Sequence, residues 1–303
     1  MDGKRSSWDW GRNWPLHVML LPGLILVLVF VFGPLPGIVM AFQDYQVGKG
    51  ILGSDMVGLK HFERIWVFDK PKEVIVNSFQ ISLLKVAFNL AVPVAFALLL
   101  NEIRKRALQR TIQTLVYFPH FLSWVILGGI FVDLLSMGGL VNQTLNALFG
   151  IGPVFFLGEG AAFVAAIVTT DVWKEFGFAT IVYMAAIAGV NPELYEAAVV
   201  DGASRFRQAV HVTLPAIVPI FIVVGTLALG NVLNAGFDQI FNMYSPLVYE
   251  QGDIIDTYVY REGLNGANFS FGTAMGLFKS VVGMIFILAS YVLARKLADY
   301  KVF

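Results

Sequence analysis

The hydrophobic pattern of this chain is one of long, nearly unbroken runs. Apolar stretches occupy Leu16–Phe42, Val74–Leu100, Leu115–Leu135, Ala161–Ile187, Pro215–Leu233 and Phe271–Ala294. Each approaches or exceeds the roughly 20 residues that a helix needs to cross the hydrocarbon layer. Backbone amides find no water there, so an apolar run of this kind satisfies its own hydrogen bonds as a helix. The pattern predicts six transmembrane helices in an all-α polytopic membrane protein. The first run is longer than the roughly 7 to 15 residues of a signal-peptide core. No small-residue cleavage site follows it before Gln43-Asp44, so it is read as a retained span.

Lys and Arg near spans mark the cytoplasmic side. They precede the first run as Lys4, Arg5 and Arg12, and follow the last as Arg295, Lys296 and Lys301. Between the second and third runs lie Arg104, Lys105, Arg106 and Arg110, and between the fourth and fifth lie Arg205 and Arg207. Both termini and these two connections are therefore read as cytoplasmic. Met137–Gly160 has no Lys or Arg and Asn234–Ser270 has only Arg261, which suits the opposite face. In the first-to-second connection Lys49, Lys60, Arg64, Lys70 and Lys72 are accompanied by Asp44, Asp55, Glu63, Asp69 and Glu73. This division gives residues 1–15 as a cytoplasmic segment and 16–303 as a six-helix transmembrane domain. Trp8, Trp10 and Trp14 read as interfacial anchors at its entry.

Composition narrows the chemistry. With 57% hydrophobic and 14% charged residues and a mean hydropathy of +0.71, lipid is the solvent for much of the surface. The chain has no cysteine, which excludes disulfides, thiol nucleophiles and thiolate metal sites. Its zero net charge argues against a nucleic-acid partner. His17, His61, His120 and His211 are dispersed without ligand spacing, so no metal site is expected. Ser/His and HExxH arrangements for an intramembrane enzyme are missing. A phosphate-cradling GxxxxGK[ST] loop is also missing, and the "GPLPG" at 33–37 sits in a span without the necessary lysine.

The connection between the fourth and fifth runs, "YEAAVVDGASRFRQAVHVTLPAIVPI" at 195–220, is the least hydrophobic long stretch of the second half. Asn191-Pro192-Glu193 starts a helix with a capping residue, a proline at the first helical position and an acid against the positive dipole end. Gly202 interrupts that helix, Ser204 caps a second, and Leu214-Pro215 leads into the fifth run. Two short helices with a bend are predicted.

Glu196-Ala197-Ala198, Asp201-Gly202-Ala203, Phe206 and Val212-Thr213-Leu214-Pro215 closely resemble the EAA loop of type I bacterial ABC importer permeases. The flanking "WKEFGFATIVYMAAIAGVNPELYEAA" and "FDQIFNMYSPLVYEQGDIIDTYVYREGL" resemble the carbohydrate branch, in particular LplB-like polysaccharide or oligosaccharide permeases. The resemblance implies a type I importer permease fold whose loop at about 191–215 is the coupling helix that docks on a separate ATPase. Glu196, Ala197, Ala198, Asp201, Gly202, Ala203, Phe206, Leu214 and Pro215 are the implied coupling residues. It further implies a non-catalytic subunit of the bacterial cytoplasmic membrane with no cofactor of its own, ATP and Mg residing on the ATPase. Its partners would be a second homologous permease, two ATPase subunits, an extracytoplasmic solute-binding protein and an oligosaccharide. An ion-coupled secondary transporter and an ABC permease for a non-sugar solute remain as alternatives.

Charges inside an apolar run face protein or water. Asp171, Trp173, Lys174 and Glu175 fall in the fourth run, spaced to form one polar face. They read either as an internal ion pair anchoring the span or as a sugar-cavity wall with Trp173 stacking on a pyranose. Likeness to maltose-type permeases favours the cavity wall, with Asp171, Lys174, Glu175, Phe178 and Asn234 at matching positions. Asn231, Asn234 and Asp238 would form a second polar face if the fifth helix continues through them. Charged residues stand where the maltose branch is largely neutral, and Lys174 suits an acidic, uronate-bearing oligosaccharide unless Asp171 or Glu175 neutralises it. Lys85, Asn89, Asp133 and Lys279 read as interhelical bonds or as side chains reaching for the interface.

Overall fold

The computed structural model describes residues 10–298. Lys4, Arg5, Trp8 and Lys301 lie outside the described residues, as do the side chains of Trp10, Arg12 and Lys296. Helix α1 (Trp10–Val27) continues through a π turn at Leu28–Phe32 and a 3-10 stretch at Leu35–Phe42. Pro34 and Pro36 carry no N–H, so the regular ladder gives way there and Gly37 N donates to Pro34 O at 2.8 Å. From Trp14 to Pro36 this span is exposed, leaving its surface to lipid or to another chain.

The connection between the first and second spans holds a small antiparallel pair, β1 (Gln43–Asp44) with β2 (Asp55–Met56), around the turn α2 (Gly50–Gly53). Helix α3 (Lys60–Val67) then leads into the long α4 (Asp69–Asn101). There follow α5 (Arg106–Tyr117), α6 (Trp124–Leu134), α7 (Leu140–Phe149) and α8 (Gly160–Ala188). The loop after α8 forms α9 (Pro192–Val200) and α10 (Arg205–Gln208), and a π turn at Ala209–Thr213 joins it to α11 (Leu214–Gly230). The short α12 (Phe237–Met243), α13 (Tyr249–Gly252) and α14 (Ile255–Tyr258) precede the final α15 (Phe269–Ala298).

Among the described residues, four helical segments are long and apolar enough to span a bilayer: Trp14–Phe42, Asp69–Asn101, Arg205–Gly230 and Phe269–Leu293. Counting each of two bent pairs as one span brings the number to six. Gly160–Ala188 meets Pro192–Val200 at 72°, where Gly189 ends one helix and Asn191 caps the next. The apolar run at Leu115–Leu135 is not one straight helix, since Arg106–Phe121 and Trp124–Leu134 meet at 101°. Pro119 lies in a 3-10 turn and the extended Ser123 accepts a bond from Ile126 N to start the next helix. That break determines the geometry of the site.

Helix α4 packs along α8, and α11 along α15. One buried cluster joins Ile81, Phe163, Ile167, Ala235, Ile240 and Ile254, so the segment after α11 is built into the α4–α8 core. A second joins Ile65, Val74, Leu233, Ile255 and Met275. A third, at the end of the bundle next to α9, joins Val94, Ala97, Tyr183, Ile187 and Ile217. Gly177 on α8 lies so close to α5 that a Cβ there would sit 2.0 Å from Val116 O. Only glycine allows this approach, and it lays the break after α5 directly on α8.

The segment from Phe237 to Asn265, between α11 and α15, is held by specific bonds. Asn77 Nδ2 donates to Glu250 O at 2.8 Å, and Ser78 Oγ accepts from Ile255 N at 2.8 Å. Fully buried Asp253 accepts from Thr257 and from both terminal nitrogens of Arg261. Burial works against the Arg261 charge, but Asp253 outweighs it and holds the guanidinium protonated. Burial, reinforced by Tyr249, pushes the Tyr244 hydroxyl up to about 12.

Candidate functional site

A polar cavity of about 360 Å³ opens between α4, α8 and the end of α11. Helix α8 presents Asp171, Glu175 and Ala179 to it at four-residue intervals, one face of a helix. Lys85 and Asn89 contribute from α4, and Asn231, Asn234 and Gly236 from the chain beyond α11. Lys85 Nζ lies 2.9 Å from Asp171 Oδ1, donates to Ala235 O at 2.8 Å and bonds Gln239 Oε1. All three ammonium protons are thereby used. Asn89 Nδ2 donates to Asp171 Oδ2 at 2.8 Å, and Gln239 Nε2 donates to Ile167 O and Thr170 Oγ1. This network ties α4 and α8 to the segment after α11, in the cavity wall itself. Gly236 passes it at φ +92°, with Lys85 Nζ where a side chain would begin.

The continuous polar helix through Asn231, Asn234 and Asp238 does not form. Helix α11 ends at Gly230, Asn231 leaves helical geometry, and Asn234 N donates to Asn231 O at 2.8 Å in a turn. Three residues that favour turns, Asn231, Asn234 and Gly236, outweigh the apolar pattern here. Asn231 and Asn234 still reach the cavity, because the turn points them into it. Asp238 begins α12 and does not line it.

The fourth span is also divided differently from the single face expected of it. Asp171 is engaged by Lys85 and Asn89 on α4, whereas Lys174 and Glu175 turn to the break between α5 and α6. Lys174 Nζ donates to His120 O at 2.9 Å and to Glu175 Oε1 at 2.8 Å. Glu175 Oε2 lies 2.7 Å from His120 Nδ1, within hydrogen-bond reach. The His120 ring stacks on Phe178 with centroids 4.0 Å apart. Glu175 thus neutralises Lys174, and the inference from a free Lys174 to an acidic ligand fails. Trp173 stands edge-on to Phe131 and lines a separate apolar cavity of about 650 Å³ between α6, α7 and α8. Neither Trp173 nor Phe178 lines the polar cavity.

His120 was invisible as a site residue because it is a lone histidine in an apolar run. The available signal was its neighbour Pro119, which breaks the span and leaves a polar side chain at the bend. A second polar hollow, about 480 Å³, lies on the other side of Asn231 and Asn234 and is lined by Asp256, Lys279 and Ser280. Among the described residues no three His, Cys, Asp or Glu side chains gather as a metal site.

The loop at 191–215 has the two-helix form expected of it. Asn191 Oδ1 accepts from Glu193 N at 3.1 Å, and Ser204 Oγ accepts from Arg207 N. Gly202 has φ +73°, Gly202 N donates to Val199 O, and Ala203 N donates to Ala198 O at 2.9 Å. That bonding closes α9 with a left-handed cap, the reason a glycine stands there. Arg205 pairs with Glu102 at 3.1 Å, and the Tyr195 and Thr213 hydroxyls are 2.9 Å apart. Val200 and Phe206 are 88% and 78% exposed, and Glu196, Ala197, Asp201, Leu214 and Pro215 are exposed with them. Ala198 and Ala203 are half-buried beneath.

Residues 87–299 match the family described as binding-protein-dependent transport system inner membrane component. The chain belongs to this family of permeases. The polygalacturonan/rhamnogalacturonan transport system permease protein YteP of Bacillus subtilis is 42% identical to this permease, over 95% of this chain and 90% of that one. Protein LplB of the same organism is 40% identical over 97% and 90%. A crystal structure of a bacterial alginate ABC transporter in complex with alginate pentasaccharide-bound periplasmic protein contains a chain of the same fold. The likeness has a TM-score of 0.87 at 37% identity and covers 99% of this chain and 100% of that one. The permease is therefore a non-catalytic membrane subunit of a carbohydrate ABC importer, with the fold that its loop and six spans implied.

Proposed function

We propose that this permease forms half of the translocation pathway of an importer for acidic, uronate-bearing oligosaccharides. The observation that carries the reading is the polar cavity at the unwound end of α11, in a chain whose near-full-length relatives are named for polygalacturonan and alginate transport. Each acid on the wall has its own cation: Asp171 has Lys85, Glu175 has Lys174, and Asp256 has Lys279. The wall repels an anionic sugar little, while Asn231 and Asn234 offer amide donors and acceptors to its hydroxyls. Of the residues assigned to the pathway, Asp171, Glu175, Asn231 and Asn234 form this surface. Lys174 and Phe178 hold the break at His120, whereas Trp173 faces the apolar cavity and Asp238 is exposed on α12.

Residues 191–215 are the cytoplasmic coupling loop of a permease domain at 16–303, with residues 1–15 and both termini on the same side. Glu196, Ala197, Ala198, Asp201, Gly202, Ala203, Phe206, Leu214 and Pro215 form the face toward an ATPase. Exposed Val200 and Phe206, outside the lipid-facing spans, suit a protein partner. Movement of α9 and α10 passes through Arg205–Glu102 to α4 and through Tyr195–Thr213 to α11, the helices that bound the cavity. A second homologous permease, two ATPases carrying ATP and Mg, and a binding protein complete the assembly.

The test is ATPase activity of the co-purified assembly in lipid nanodiscs, with its binding protein and a panel of neutral and uronate oligosaccharides. Stimulation by uronate oligosaccharides supports the reading. Solute movement by the chain alone, driven by an ion gradient and indifferent to ATP, overturns it.

A further inference from the structure

Three lysines are paired inside the apolar runs, and they are held in different ways. Lys85 and Lys174 have side chains only 8% exposed, and each is fixed by a backbone carbonyl as well as by an acid. Lys279 on α15 is 22% exposed and bonds only the two carboxylate oxygens of Asp256, each at 2.7 Å. An ammonium has three protons, and no other acceptor among the described residues takes the third. Asp256, on α14, is itself 26% exposed. The pair faces the hollow of about 480 Å³ that shares Asn231 and Asn234 with the cavity described above. Both hollows fall in the size range of small-molecule sites, roughly 300 to 1,000 Å³.

Space is available along this side of α15. A Cβ at Gly276 or Gly283 would meet nothing within 4 Å, and Ser280 lies between them. The two hollows flank one unwound strip of backbone, one on each side of Asn231 and Asn234.

We propose that Lys279 and Asp256 form a carboxylate-exchange subsite, in which the uronate group of a passing oligosaccharide replaces Asp256 on the Lys279 ammonium. The idea rests on the reading of this permease as a conduit for uronate oligosaccharides. One carboxylate exchanges for another, so the charge-assisted bonds to Lys279 are conserved while Asp256 turns to water in the hollow. A neutral sugar has no group that displaces an ionised carboxylate, so the pair discriminates by what the wrong ligand fails to supply. Lys85 is unsuited to the same role, because releasing Asp171 would open a buried network.

The experiment uses the complete importer with its binding protein in proteoliposomes, and compares ATP-driven uptake of a galacturonate trisaccharide with that of its neutral methyl ester. Lys279→Gln is expected to reduce the preference for the free acid about tenfold, the scale of one lost charge-assisted contact. Lys279→Arg is expected to retain the preference. Asp256→Asn frees the lysine and is expected to keep or raise it, the opposite sign. Saturation-transfer NMR of both trisaccharides with the nanodisc complex lacking its binding protein removes that protein's own selectivity, and is expected to give the same order. If Lys279→Gln and Asp256→Asn lower both signals by the same factor, the pair is a structural brace and the proposal is overturned. If the wild-type importer shows no ATP-driven uptake of either sugar, the importer reading itself fails, and this proposal with it.

Discussion

His120 Nδ1 and Glu175 Oε2 lie 2.7 Å apart, and this contact fastens the broken third span to the helix that carries the cavity acids. Glu175 bonds Lys174 with its other oxygen, so one carboxylate holds two cation-capable groups. We expect His120→Ala to lower the stability of the purified complex by about 1.5 to 3 kcal/mol, the range for a bond to a charged group. Glu175→Gln should cost more, since Lys174 loses its counter-charge. Thermal unfolding of the nanodisc complex measures both, and a midpoint unchanged in Glu175→Gln would remove this contact from the account.

Lys85 and Asp171 provide the sharper case. Lys85→Ala leaves Asp171 as an uncompensated charge in the cavity wall, a change that typically costs about 3 to 5 kcal/mol. The double variant Lys85→Ala with Asp171→Leu should recover much of that loss while remaining poor in uptake. Expression level and unfolding of the two single variants and the double variant form a double-mutant cycle. Additive losses would mean that the pair is not coupled.

Gly177 tests the packing that creates the site. Gly177→Ala places a methyl 2.0 Å from Val116 O, so α5 must move away from α8 and carry His120 from Glu175. An overpacked contact of this kind costs about 1 to 3 kcal/mol. Gly129→Ala is the control, because its added methyl meets nothing within 4 Å. Equal unfolding midpoints for the two variants would contradict the close approach.

At the coupling loop, Gly202→Asp puts a side chain on a residue with φ +73° and a charge on the exposed bend. The local cost is about 1 to 2 kcal/mol, too small to unfold six spans. We expect the permease to accumulate normally while substrate-stimulated ATPase activity falls at least tenfold. Normal stimulation would disprove the coupling role of the loop.

The sequence was most legible where local chemistry decides local shape. Asn191, Gly202 and Ser204 announce their caps and bend within a few residues, and the long apolar runs announce spans because lipid permits little else. It was least legible where distant residues choose one another. Lys85 and Asp171 are far apart in the chain, and no periodicity tells which helix will face which. The breaks at Pro119 and Gly230 had signals, a proline and a cluster of Asn and Gly, but the apolar pattern on either side masked them. Trp173 was misplaced for a related reason, since a mixed polar and aromatic turn does not say which side chain meets α4 and which meets α6.

The most direct test is ATP-driven uptake of a labelled uronate oligosaccharide into proteoliposomes holding this permease with its partner permease, ATPases and binding protein. We expect uptake that requires ATP and the binding protein and disappears in Gly202→Asp. Uptake that persists without ATP, follows an imposed ion gradient and survives in Gly202→Asp would contradict the account.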